Sequence, residues 1–182
     1  MRIISGKYKG RRLNLPRNFT ARPTTDFAKE NIFNVLNNMV DWDDSDALDL
    51  FGGTGSISYE FASRGCPRVV CVEKSPLNYS FIEKTIADLK TAEIILYKMD
   101  VFKYFELCKD KFDLIFADPP YDLKYLAEVP KLVFEKDLLK ENGIFVMEHP
   151  KEYNFSDFSS FKEKRVYGSV NFSIFIKDKV GA

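Results

Sequence analysis

"LDLFGGTGSIS" (Leu48 to Ser58) passes from a short apolar run to an amphipathic one through Gly52, Gly53 and Gly55. Ala47 to Phe51 has the length and apolar content of a buried strand, and Ser56 to Arg64 suits a helix. Glycines at such a junction let the backbone approach a ligand closely, and the first N–H groups of the helix stay open to it. The stretch departs from the G-x-G-x-x-G dinucleotide pattern, because Ser58 stands where the third glycine would. Asp49, inside the turn, would repel a pyrophosphate and favour an ammonium or a sulfonium.

The alternation continues outward from this junction. Arg68 to Val72, Ile94 to Lys98, Phe112 to Ala117 and Gly143 to Glu148 read as strands, and Leu77 to Leu89 and Tyr125 to Phe134 as helices. Strands alternating with helices predict an α/β, Rossmann-like fold, with a mostly parallel sheet covered on both faces and ligands at the carboxyl ends of its strands. After Glu148, Glu163 to Tyr167 and Asn171 to Ile176 meet at Gly168 with no helix between them, so an antiparallel terminal hairpin completes a seven-stranded sheet. Upstream, "RIISGKYKGRRLNLP" (Arg2 to Pro16) reads as a small β-hairpin turning near Gly6 or Gly10. It is followed by a helix capped by Thr25 or Asp26, with Phe27, Ile32, Phe33, Val35, Leu36 and Met39 as its apolar stripe.

At 182 residues and 45% hydrophobic composition, the chain is expected to bury one ordinary core. The start "MRIISGKYKG" has no apolar leader segment, and no later stretch approaches the length of a membrane span. Cys66, Cys71 and Cys108 show neither C-x-x-C spacing nor an even count. A reduced, cytoplasmic protein with no metal and no membrane partner is expected. The net charge of zero hides an asymmetry: residues 1–40 carry eight basic and two acidic side chains, a balance of +6, which leaves −6 for the remainder. A basic end on an acidic body points to a polyanion gripped by the amino-terminal segment.

Two further strand tips carry acids. Glu73 ends the second strand, where doubly wound folds bond the ribose hydroxyls of a nucleoside. Asp100 ends the third, placed to accept from an adenine amino group while Met99 offers a backbone N–H. With Asp49, three acids at three successive tips point to a nucleoside that also bears a positive charge.

"IFADPPYD" (Ile115 to Asp122) closes the fourth strand with a carboxylate and then removes two backbone donors in succession. Such a turn, rich in acceptors, suits an amine. The lone pair of an exocyclic amine is conjugated with its base until two acceptors pin its hydrogens, which Asp118 and a carbonyl of the Pro119–Pro120 turn can do while Tyr121 stacks on the ring. A methyl group on a positive sulfur, presented in line, would then complete a displacement.

These features together resemble the RsmD-type family of small-subunit ribosomal RNA methyltransferases. The resemblance covers almost the whole chain, through "GKYKGRRL", "RPTTDFAKENIFN" (Arg22 to Asn34), "DLFGGTGSIS", Glu73, Asp100, "DPPY" and the strand end "GIFVMEHP". It implies transfer of a methyl group from S-adenosyl-L-methionine to the N2 amine of a guanine in 16S ribosomal RNA, naked or in an assembled small subunit, by a monomer. The catalytic set is then Asp118, Pro119, Pro120 and Tyr121. The cofactor set is Thr24, Asp49, Phe51, Gly52, Gly53, Gly55, Glu73, Lys74, Asp100, Val101 and Asp118, and Lys7, Lys9, Arg11, Arg12 and Arg22 would grip RNA. Arg22, Thr24 and Asp26 are also expected to shape the site. On this reading residues 1–40 form a basic extension and 41–182 the catalytic domain. "DPPY" is shared with enzymes acting on N6 of adenine, N4 of cytosine and protein amines, so these remain alternatives, as does a non-catalytic RNA-binding assembly factor. His149, the sole histidine, is given no catalytic role.

Overall fold

The computed structural model describes residues 1–16, 19 and 25–178. Arg22 and Thr24 lie outside the described residues. The sheet has seven strands, β1 (Asp46–Asp49), β2 (Arg68–Glu73), β3 (Ile94–Lys98), β4 (Phe112–Ala117), β5 (Leu139–His149), β6 (Phe161–Tyr167) and β7 (Val170–Ile176). Their order is β3-β2-β1-β4-β5-β7-β6, with β1 to β5 parallel and β7 antiparallel to both of its neighbours. The chain runs outward from β1 to β3 and then returns to place β4 on the other side of β1. This reversal opens a crevice at the carboxyl ends of β1 and β4, the position where such sheets bind ligands.

Period-two alternation divides the strands between two cores. Ala47, Val69, Cys71, Leu114 and Phe116 pack against α1 (Asp26–Leu36), α2 (Ser56–Arg64) and α3 (Pro76–Leu89) through Ile32, Phe33, Phe61 and Ile82. Leu48, Val70, Val72, Ile115 and Ala117 face the other way, against Val101, Tyr104 and Phe105 of α4 (Val101–Leu107) and Val129 and Val133 of α5 (Glu128–Glu135). The central strands β2, β1 and β4 are therefore apolar on both sides, as a buried parallel sheet requires, while the edge strand β3 leaves Ile95 and Tyr97 exposed.

Three expectations change. Helix α4 was not anticipated, although its buried Val101, Tyr104 and Phe105 fall at helical spacing behind a capping Asp100. Helix α5 starts at Glu128 rather than Tyr125, which places Pro130 in the first turn, where its missing N–H costs no intrahelical bond. Phe27 is 64% exposed and lies against Tyr167 with ring centroids 6.4 Å apart, so it belongs to the surface rather than the buried stripe.

The amino-terminal hairpin forms as a loop with a single antiparallel bridge, Arg2 to Arg12, and no regular strand. Cross-chain bonds flank the bridge as the expected hairpin requires, with Ile3 N–H donating to Arg11 O at 3.0 Å and Leu13 N–H to Met1 O at 3.0 Å. The loop between docks on α2: Ile4 N–H donates to Glu60 Oε1 at 2.7 Å and Lys7 N–H to Ser63 O at 2.7 Å. Gly6 sits at φ 79°, and a Cβ there would meet Ser63 O at 1.7 Å, so only glycine permits this contact. Lys29, 1% exposed, reaches across from α1 and donates to Arg2 O at 2.7 Å and Ser56 Oγ at 3.1 Å, with Glu60 Oε1 at 3.2 Å. Arg64 Nη2 stands 3.3 Å from Glu60 Oε2 as an ion pair, and its guanidinium lies 4.5 Å from the centroid of the Phe33 ring. One buried charge cluster thus ties the amino-terminal loop and α1 to the length of α2, from Ser56 to Arg64.

Candidate active site

A cavity of about 740 Å³ opens at the carboxyl edge of the sheet, a size suited to a small organic ligand. It runs from Asp100 and Lys74 at the β3 side, past the glycine turn and Glu73, to Asp118, Tyr121, Glu148, Ser169 and Val170 at the β5–β7 side. Of the expected site residues, Phe51, Gly52, Gly53, Glu73, Lys74, Asp100, Val101 and all of Asp118 to Tyr121 line it. The cofactor and chemical ends read separately in the sequence therefore share one hollow.

The turn is held from behind. Gly52 N–H donates to Val72 O at 2.9 Å, and a Cβ on Gly52 would come 2.6 Å from Cys71 Sγ. Gly53 adopts φ 52°, and its N–H donates to Glu73 Oε2 at 2.7 Å, while Ser75 N–H donates to Glu73 Oε1 at 2.6 Å. Glu73 clasps the turn to the start of α3, and each oxygen keeps a second lone pair for a ligand hydroxyl. Gly55 does not line the cavity but packs on the Tyr59 ring, which an added Cβ would meet at 2.4 Å.

Asp49 lies beneath the turn, buried, with Oδ2 accepting from Ser58 Oγ at 2.7 Å and Ser58 N–H at 3.2 Å. Ser58, which breaks the dinucleotide pattern, is therefore the partner this acid needs. Asp49 Oδ1 is buried and makes no hydrogen bond among the described residues. Burial pushes the Asp49 carboxyl up to about 6, with the Ser58 bonds opposing the rise and the negative Glu73 adding to it. Asp49 does not itself line the cavity, and its buried carboxylate, which the Phe51 backbone also helps to hold, favours a ligand that brings positive charge to the floor above it.

At the β3 tip, Asp100 caps α4 through Phe102 N–H at 2.9 Å and lies 3.5 Å from Lys74 Nζ. Its role as a helix cap went unread in the sequence. Met99 is a correction: its N–H donates to Glu73 O at 3.2 Å, so it has no donor to offer an adenine. Adjacent parallel strands claim one another's backbone groups, which a reading of single strand tips does not register.

At the other end, Tyr121 is 49% exposed and its hydroxyl donates to Glu148 Oε1 at 3.0 Å, while Glu148 is only 5% exposed. Sequence reasoning missed Glu148 as a site residue, although its place at the end of β5 was a signal. His149 is fully buried, with Nδ1 2.8 Å from Pro150 O and Nε2 2.8 Å from Ser173 Oγ. A carbonyl only accepts, so Nδ1 carries the proton. Burial holds the ring below its ordinary pKa, and the residue is a neutral structural one.

Lys7, Lys9, Arg11 and Arg12 are all exposed, yet they do not cluster at the cavity mouth. The loop runs along α2, and Lys7 sits beside Ser63, about 10 Å of helix rise below the cavity-lining Ser56. Lys7 Nζ is also paired with Glu93. Burial would raise the Glu93 carboxyl, but bonds from Lys7 and Thr91 outweigh this and hold it down at about 2. Arg2 pairs with Asp26 at 3.4 Å, so Asp26 anchors the loop to α1. Among the described residues, no helix is long and apolar enough to cross a membrane, and no cluster of three metal-ligating side chains occurs.

A family model described as "Conserved hypothetical protein 95" matches residues 1–176. YlbH of Bacillus subtilis is 32% identical over 187 aligned residues, covering 97% of this chain and 99% of that protein. The ribosomal RNA small subunit methyltransferase D of Haemophilus influenzae is 31% identical, covering 84% of this chain and 80% of its own. Among solved structures, yhhF of Escherichia coli superposes with a TM-score of 0.85 at 25% identity, covering 98% of both chains.

Proposed function

This chain belongs to the family described as Conserved hypothetical protein 95, that of the RsmD-type methyltransferases, and from that premise we propose that it methylates the exocyclic N2 amine of a guanine in 16S ribosomal RNA. The observation that carries the reading is the single cavity holding both the glycine turn over Asp49 and the Asp118–Tyr121 turn. The cofactor is S-adenosyl-L-methionine, which when bound supplies a methyl group on a positive sulfur that leaves as a neutral thioether.

Within this reading, Gly52 and Gly53 let the backbone close on the cofactor, Glu73 accepts from its ribose, and Asp49 and Asp100 face its positive and amino groups. Asp118 accepts from one hydrogen of the target amine, and a carbonyl of the Pro119–Pro120 turn accepts from the other, freeing the nitrogen lone pair for attack. The Asp118 carboxylate then stabilises the positive charge that develops on nitrogen, and the proton departs after transfer. The Tyr121 ring offers a stacking surface for the base. Residues 1–40 serve as the RNA-facing extension of a catalytic domain spanning 41–182. Mass spectrometry of nucleosides from the ribosomal RNA of cells with and without the gene tests the reading: N2-methylguanosine should fall at one site in its absence, and an unchanged nucleoside profile would sink it.

Asp49 makes cofactor binding depend on pH. Its carboxyl titrates near pH 6 in the free protein, and a cationic ligand favours the ionised form, so binding expels a proton below that pH. Affinity should be level above pH 6 and weaken by up to about tenfold for each unit below it. Calorimetry from pH 5 to 8 should show this bend and its loss in Asp49→Asn; a bend that survives the substitution would assign it elsewhere.

The grip on RNA is proposed to come from Lys9, Arg11 and Arg12, with Lys7 largely occupied by Glu93. Each phosphate contact contributes about 0.7 to 0.9 to the log–log slope of affinity against salt. Replacing all four by Ala should flatten the slope by about 2 to 3, and Lys7→Ala alone should barely move it. Parallel slopes for the parent and the fourfold variant in RNA-binding titrations would show that the substrate is held elsewhere.

A further inference from the structure

Glu148 is unlike the other acids of the cavity. It lies at the β5–β7 end, away from the glycine turn, Glu73 and Asp100, and it is the most buried carboxylate on that side. Strands β4 and β5 are adjacent and parallel, with Phe116 opposite Val146 and Ala117 opposite Met147. Asp118 and Glu148 are the next residue on each strand. Neighbouring strands lie about 4.8 Å apart, so two carboxylates emerge side by side into one pocket. Tyr121 O–H donates to one oxygen of Glu148 at 3.0 Å and so orients the carboxylate.

The bases differ in what stands beside their amines. Adenine N6 is flanked by the bare lone pairs of N1 and N7, and cytosine N4 by the bare lone pair of N3. Guanine N2 is flanked on one side by the N1–H donor. A second carboxylate next to Asp118 is matched by guanine and repelled by the other two. We propose that Glu148 is a specificity-determining residue of this site, its carboxylate accepting from guanine N1–H while Asp118 holds the neighbouring N2 amine. The role rests on the guanine reading above. It separates this site from others that share the Asp-Pro-Pro-Tyr turn: the turn selects an amine, and Glu148 selects which base carries it.

The test uses the full chain and an RNA or reconstituted subunit in which the mapped target guanine is replaced by 2-aminopurine. That base keeps the amine but presents a bare lone pair at N1. The parent enzyme should favour guanine over 2-aminopurine by about a hundredfold in kcat/KM. Glu148→Gln keeps the size of the side chain and an acceptor for Tyr121, and adds an amide donor for the bare N1. The preference should fall to about tenfold or less, with guanine turnover falling and 2-aminopurine turnover held or raised. An equal loss on both substrates would reduce Glu148 to a prop for Tyr121 and overturn the proposal alone. Methylation of adenine or cytosine by the parent enzyme would overturn the guanine reading itself, an outcome visible before any variant is made.

Discussion

Asp118→Ala should abolish methyl transfer while leaving cofactor affinity nearly unchanged. The carboxylate sits beyond Ala117 at the tip of β4, on the part of the cavity wall that continues into Pro119, Pro120 and Tyr121, whereas the glycine turn and Glu73 hold the other part. An acceptor preorganised in a site that excludes water contributes several kcal/mol to the transition state, so kcat should fall by about 10²-fold or more. Single-turnover assays under saturating cofactor, with calorimetry on the same preparation, separate the two quantities. Near-normal turnover would remove the amine-holding role, and a matching loss of cofactor binding would leave Asp118 with its cofactor role alone.

Lys29→Met should be the most destabilising single change in the amino-terminal forty residues. Lys29 and Glu60 are 1% and 0% exposed, and the substitution leaves a buried carboxylate short of its closest cation. Breaking a buried pair from one side costs about 3–5 kcal/mol, since the remaining charge keeps its desolvation penalty. In a chain of this size that lowers Tm by roughly 10 °C. Glu60→Gln should cost a comparable amount, because Lys29 and Arg64 both lose their anion. Urea denaturation of the single and double variants should give a double-variant loss smaller than the sum by at least about 1 kcal/mol. Additive losses would mean that the two groups do not act as a pair. Because Lys29 also bonds Ser56, the first residue of α2, the same variant should loosen the wall of the cavity.

Asp26 and Lys29 have roles that differ from their appearance in the sequence. Within the string "RPTTDFAKE", Thr25 lines the cavity and caps α1 by accepting from Ala28 N–H at 3.1 Å, while Asp26 pairs with Arg2 and Lys29 is core. The basic excess of the first forty residues is correspondingly smaller at the surface than a count implies. Lys29 is sequestered and Lys7 is matched by Glu93, a residue far along the chain.

The sequence by itself determined the class of fold, the two-sided core, the glycine turn and the acid-proline turn. Each of these is written in neighbouring residues: the unbroken apolar run at Val69 to Val72 states that both faces are buried, and glycines after a strand state where the backbone must pass close to something. The sequence also placed Asp49, Glu73 and Asp118 at strand tips, because a tip is a local property. Tertiary structure alone decided which groups remained for a ligand. Strand order put β4 between β1 and β5, which brought Glu148 beside Asp118 and under Tyr121. Parallel pairing consumed the Met99 N–H, and docking on α2 consumed the Ile4 and Lys7 N–H groups at the turn of the amino-terminal hairpin. Hydrogen-bond partners and burial are set by residues distant in the chain, and a charge, a donor or an acceptor has no fixed role until that competition is settled.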